Sequence, residues 1–121
     1  MQSSRPAATR VANVSRPEPV FARLRRSEDF RRVLDTGIRR RRGGLVVVSA
    51  PGADGVVRVG LVVGRKVGKA VLRNRAKRRL RHAAAVASWP ADLDYVVIAS
   101  AEVVAAPFAQ LVRWLEEGAA R

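Results

Sequence analysis

The sequence predicts an α+β fold built on one small sheet, and three observations carry that expectation. Hydrophobic residues make up 48% of a 121-residue chain, enough for one core and, at this length, for one domain. Stretches with helical periodicity alternate with short β-branched runs, in the order helix, strands, helix, strand, helix. Dense turn formers separate them, as in Pro51-Gly52-Ala53-Asp54-Gly55. Aromatic residues are only 5% and much of the apolar content is Ala and Val, so a thin core is expected. Element order alone does not settle the strand topology.

Residues 1–22 read as a flexible basic tail and residues 23–121 as the single domain. The tail holds Pro6, Pro17 and Pro19 and the arginines Arg5, Arg10 and Arg16, with no hydrophobic period. A short first helix follows. Ser27 is its expected N-cap, Glu28 and Asp29 favour the positive end of the helix dipole, and Gly37 closes it. Phe30, Val33 and Leu34 mark its apolar face. For Phe30 two readings stand: a core aromatic, the commoner fate on such a face, or a ring at the lip of a cleft that stacks a base.

Arg39, Arg40, Arg41 and Arg42 precede Gly43-Gly44, either as a loop tip beside a strand or as a second RNA-contacting patch. Residues 45–50 and 56–63 are Val-rich runs flanking the turn-rich stretch, and they predict a hairpin. Arg58 within it is expected to face solvent or an RNA groove. A second helix runs beyond Gly68, since neither Gly nor Pro recurs before Pro90. Residues 89–93 form a turn and residues 94–99 a short buried strand. Asp92 and Asp94 read as solvated turn carboxylates, because no third ligand lies near them in sequence. Pro107 suits the start of a final helix, with Phe108, Leu111, Val112 and Leu115 as the packing stripe. Trp114 falls off that stripe, as a rim residue without an assigned role.

Charge narrows the function classes. The formal net charge is +14, which favours nucleic acid or an anionic surface as partner. There is no Cys and one His, which excludes disulfides and Cys-ligated zinc and removes most metal or nucleophile constellations. No apolar run approaches the ~20 residues of a membrane span, and the N-terminus lacks a secretory signal core. The cytoplasm is the expected location. Catalytic and metal-ligating residues are assigned to none.

The cations concentrate in one place. Residues 61–82 hold nine Lys or Arg and no acid. At about 100° per residue, Leu72, Ala76, Leu80, Ala83, Ala84 and Ala87 form the buried stripe. Arg73, Lys77 and Arg81 run along one flank, and Arg75, Arg78, Arg79 and His82 along the other. A solvated face ordinarily mixes both signs, whereas here like-charge i, i+4 pairs repel. A polyanion is the expected complement. The planar Arg fork grips phosphate bidentately, and Asn74 suits a ribose hydroxyl or base edge.

The run Arg65-Lys66-Val67-Gly68-Lys69-Ala70-Val71, then Arg73-Asn74-Arg75, Lys77-Arg78 and Arg81 resembles the signature of the bacterial ribonuclease P protein subunit. Residues 24–33 and the string Asp94-Tyr95-Val96-Val97-Ile98-Ala99 resemble the same family, so that the likeness covers residues 24–115. Gly64 and Arg65 stand where the family usually has Ser and Lys, and Leu34 and Val48 where many relatives have aromatic residues.

The resemblance implies a four-stranded sheet packed by three helices, a ribosomal-protein-like sandwich with a left-handed β-α-β crossover. It implies an accessory subunit of an endoribonuclease whose catalyst is RNA, with Mg²⁺ held through that RNA. Partners would be the ribonuclease P RNA and precursor tRNA. By match to the signature, Arg73, Asn74, Arg75, Lys77, Arg78 and Arg81 would hold the RNA subunit, with Arg65, Lys66 and Lys69 at the preceding loop. Phe30 would sit in a cleft that takes the 5′ leader. A structural RNA-binding protein or a DNA-compacting protein would share the charge and the size. A protein-only nuclease would need a carboxylate or His cluster.

Overall fold

The structure, a computed structural model, describes residues 22–120; the tail expected over residues 1–22 lies outside them except for Ala22. Its elements are β1 (Ala22–Arg23), α1 (Ser27–Thr36), β2 (Ile38–Arg42), β3 (Leu45–Pro51), β4 (Val57–Val62), α2 (Ala70–Val86), β5 (Leu93–Ala99) and α3 (Phe108–Ala119). Short 3₁₀ turns at Arg65–Val67 and Ala101–Val104 precede α2 and α3.

The strands form one five-stranded sheet in the order β1-β4-β5-β3-β2. The expected count of four is corrected by β1, two exposed residues that pair in parallel with Arg58 and Val59 of β4. So short a strand is held by backbone bonds alone and leaves no hydrophobic pattern to read. The expected hairpin between residues 45–50 and 56–63 is also overturned. β5 lies between those two strands, antiparallel to β3 and parallel to β4. The hairpin is instead β2–β3, which makes the four arginines an edge strand and not a loop tip. β4, α2 and β5 make the β-α-β unit.

Helices cover both faces of the sheet. On one, α1 packs Val33 over Val48, Ala50, Val96 and Leu24. On the other, α2 and α3 enclose the larger core, in which Leu45, Tyr95, Leu80, Leu111 and Leu115 are fully buried. Each such side chain stabilises the fold by about 1.5–3 kcal/mol. Because the buried stripe of α2 is mostly alanine (Ala76, Ala83, Ala84, with Ala87 just beyond the helix), that helix comes close to α3 and to the Ala101–Val104 turn.

Several local expectations change. Arg26, not Ser27, is the N-cap of α1, and the Gly37 N–H closes the helix on Val33 O at 2.8 Å. Phe108 is exposed, so the α3 stripe rests on Leu111 and Leu115. Trp114 is more than a rim residue, because its ring covers Gly43, which turns between β2 and β3 at φ +56° and has no room for a Cβ.

Asp94 is not a solvated carboxylate. Its side chain is 0% exposed and accepts hydrogen bonds from Arg58 Nε at 2.9 Å and Arg58 Nη2 at 2.6 Å. Arg32 of α1 donates to the same carboxylate and to Pro51 O at 2.9 Å, while Arg58 Nη1 lies 3.6 Å from Asp29. Arg58 therefore faces α1, neither solvent nor an RNA groove. Strand alternation puts Arg58, Asp94 and Ala50 in one row beneath that helix. Burial pushes the Asp94 carboxyl up, and the guanidinium bonds outweigh it, leaving it below the ordinary Asp range. Asp92 holds the facing loop, bonding Gly52 N–H through its carbonyl at 3.0 Å and Gly55 N–H through its side chain.

Candidate nucleic-acid interface

The basic helix is launched by the Arg65–Val67 turn, whose Val67 is buried while Arg65 and Lys66 stay exposed. Lys69 is the N-cap, and Arg73 N–H reaches Lys69 O at 2.9 Å. At the far end the indole of Trp89 bonds Ala84 O at 2.9 Å and Ser88 N–H meets the Glu116 carboxylate at 2.9 Å. Both ends are thus tied to neighbouring structure, and the helix can hold repelling charges along its length.

All nine residues expected to meet RNA lie at the surface. Arg65, Lys66, Lys69, Asn74, Arg75, Arg78 and Arg81 are exposed, and Arg73 and Lys77 are half-buried. Among the described residues no salt bridge reaches α2, since each involves Asp29, Asp94 or Glu28. Arg79 is the exception to free cations on this helix. It donates to the carbonyls of Val103 at 2.6 Å, Val104 at 2.9 Å and Ala106, clamping the turn that leads into α3. It belongs to the scaffold.

The second surface lies on the α1 side of the sheet. Register places Val62, Ile98, Val46 and Arg41 in one row across β4, β5, β3 and β2; the three apolar residues are half-buried and Arg41 is exposed. α1 covers the rows before it and leaves this one as the floor of a cleft. Phe30 stands half-buried on its wall, its ring tip directly over Gly60, where a Cβ would lie 2.4 Å from Cζ. A cavity of about 280 Å³ at the end of this floor is lined by Arg41, Lys66, Val46 and Ile98.

The structure therefore divides the expected site. Lys66 joins Arg41 at the cleft, Lys77 and Arg81 line a cavity with Phe30, and Asn74, Arg75 and Arg78 face outward from α2. Arg41 and Gly60 escape a reading of the sequence. Arg41 sits in a run whose other members are engaged elsewhere, and Gly60 is marked only as a glycine inside a strand. Space is open around Gly64, so the Ser usual in the resembled signature would fit there. Among the described residues no group of three or more His, Cys, Asp or Glu lies together to hold a metal ion, and no helix is long and apolar enough to cross a membrane.

A family model described as Ribonuclease P matches residues 19–121. The chain belongs to the ribonuclease P protein family. It is 49% identical over 98 residues to the ribonuclease P protein component of Acidothermus cellulolyticus, covering 77% of this chain and 81% of that one. With the ribonuclease P protein component of Chloroflexus aggregans it shares 45% identity over 92 residues, 74% of this chain and 68% of that one. The RNase P protein from Thermotoga maritima superposes with a TM-score of 0.71 at 30% identity, over 80% of this chain and 94% of that one. The Staphylococcus aureus RNase P protein gives 0.66 at 31%, over 78% and 89%. The signature on α2 and the α+β architecture agree with this ribonuclease P membership.

Proposed function

We propose that this chain is the protein component of ribonuclease P, binding the catalytic RNA subunit and the 5′ leader of precursor tRNA to assist endonucleolytic 5′ maturation. The observation that carries the reading is α2: a helix tied at both ends, whose outward cations have no carboxylate partner among the described residues. Arg73, Asn74, Arg75, Lys77, Arg78 and Arg81, with Arg65 and Lys69 at the preceding turn, are the contacts to the RNA subunit. Their forks fit phosphate, and Asn74 fits a ribose or a base edge.

The cleft is the leader site. Its apolar floor and the Phe30 ring accept bases, while Arg41 and Lys66 at its end attract the backbone. With Leu34 and Val48 in place of aromatic residues, base stacking there rests on Phe30. The chemistry belongs to the RNA, which brings Mg²⁺ with it; the protein supplies affinity and charge compensation.

The test is cleavage of precursor tRNA by a bacterial ribonuclease P RNA at low Mg²⁺. Adding the protein is expected to restore cleavage at the normal site. The double substitution Arg73→Ala/Arg75→Ala should keep the fold and weaken RNA-subunit binding. RNA binding without stimulation would make the chain a structural RNA-binding protein instead.

A further inference from the structure

α2 and α3 pack along one another, and two hydrogen-bonded ties fix the pair. Arg79 of α2 holds the carbonyls of Val103, Val104 and Ala106 just before α3. At the other end, the Glu116 carboxylate of α3 accepts from Ser88 N–H just past α2 at 2.9 Å. Phe108, Val112 and Glu116 follow at i, i+4 and i+8 and so share one edge of α3; the Glu116 bond makes it the edge turned to α2. At about 100° per residue, Arg75, Arg79, His82 and Val86 form one row on α2, and the Arg79 bonds make it the row turned to α3.

The outer side of this seam is not used by the core. Phe108 is 41% exposed, and it is the one aromatic among the exposed large hydrophobics of the described residues; Leu111 and Leu115 already anchor its helix. Around the ring the charge has one sign. Arg75, Arg78 and His82 are exposed, and no salt bridge among the described residues reaches them. The first turn of α3 holds no acid, Glu116 is engaged with Ser88, and Glu102 has its Cβ against Gly44 at the β2–β3 turn. An aromatic face flanked by guanidinium groups without carboxylate partners is the chemistry that takes a base with its phosphates beside it. An apolar protein surface laid here would desolvate those cations without pairing them, which is costly.

We propose that Phe108 is a contact to the RNA subunit, stacking one unpaired base of that RNA while Arg75 and Arg78 hold the phosphates next to it. The proposal rests on the functional reading above and deepens it, because the subunit interface then extends from α2 onto α3. Bases inside a duplex are already stacked, so the ring selects a bulged or looped nucleotide. Every base has a face to stack, so the contact anchors the RNA without reading its sequence. Arg79 is its positioning residue: by holding Ala106 it sets the ring beside Arg75.

The experiment uses the full chain and a bacterial ribonuclease P RNA, comparing Phe108→Ala, Phe108→Leu and Phe108→Tyr with the unsubstituted protein. Three quantities are measured: affinity for the RNA subunit alone, preference of the reconstituted enzyme for precursor tRNA over the same tRNA without its leader, and the urea midpoint. The Ala and Leu variants are expected to lose about tenfold in subunit affinity, as for a lost stacked base, and Tyr to stay within about threefold. Leader preference, and the urea midpoint of the Leu variant, are expected not to change. A Leu variant that binds the subunit as tightly as the unsubstituted protein would make Phe108 a packing residue and overturn the proposal. So would a Tyr variant as weak as Ala, a loss confined to leader preference, or unchanged subunit affinity in all three, the result expected if the ring meets a protein. Failure of the unsubstituted protein to bind the RNA subunit would instead overturn the functional reading on which the proposal rests.

Discussion

Arg75 and Arg79 stand one helical turn apart in the same run of cations, and their surroundings are opposite. Arg75 is exposed, whereas Arg79 is spent on three carbonyls between Val103 and Ala106. Arg79→Ala should lower stability by about 2 kcal/mol, the scale of hydrogen bonds to a charged group, while Arg75→Ala stays within about 0.5 kcal/mol. Urea unfolding checks both, and equal midpoints would refute the clamp. The charge of α2 was legible in the sequence, because six Lys or Arg without an acid are a property of the string itself. The role of Arg79 was not, since its acceptors are main-chain carbonyls 24 to 27 residues further on. Carbonyls leave no mark in a sequence. Asp94 was misread for a related reason: a carboxylate at the start of a strand looks solvated until a helix from elsewhere lays arginines over it.

At the scale of elements, the arginines of β2 divide among separate partners. Arg39 donates to Leu34 O of α1 at 3.3 Å, and Arg40 donates to Ala120 O just past α3. Neither helix has a basic residue in its own last turn, so the edge strand supplies the positive charge that favours a helix C-terminus. Arg41 is left for the cleft. The attachment of α1 to the sheet through Asp94 is sensitive to acid. A carboxyl held below its ordinary range contributes stability that is complete above the unfolded value of about 4 and is lost as pH falls below it. That contribution should therefore be constant from pH 7 to about 5 and decline as pH falls below about 4, and Asp94→Asn should flatten that part of the slope. Urea midpoints at neutral and acid pH, compared between the two proteins, decide this. Helices and strands were legible from local periodicity. Strand partners were not: residues 45–50 and 56–63 have the composition and connecting turn of a hairpin, and nothing local says that β5 will lie between them.

For the whole molecule, charge is distributed unevenly. The ten acidic residues all fall outside residues 55–91, and those that pair serve α1 and its seat on the sheet, while α2 and the Arg65–Val67 turn before it remain positive. Binding to RNA should be strongly salt-dependent, with a log-log slope of about −0.7 for each single-strand phosphate neutralised. Titrating RNA-subunit affinity from low to moderate salt measures it, and a flat response would remove the electrostatic basis of the interface. The same asymmetry gives an isolated chain internal repulsion that a bound polyanion relieves, so RNA should raise its melting temperature by mass action.

The position of β5 also bears on the chain as it is being made. β5 is the last strand in sequence, yet it lies at the middle of the sheet, bonded to β3 on one side and β4 on the other. A nascent chain that has not reached residues 93–99 can join β2 to β3 but has nothing to join that hairpin to β4. Tyr95 and Val97, which lie in the core that α2 covers, are absent too. Contacts so distant in sequence close late, and α2, with all its charge, is already synthesised by then. On the proposed function, RNA-binding competence would arrive with the final strand, and an incomplete chain emerging from the ribosome would carry the basic sequence without the rigid surface that presents it.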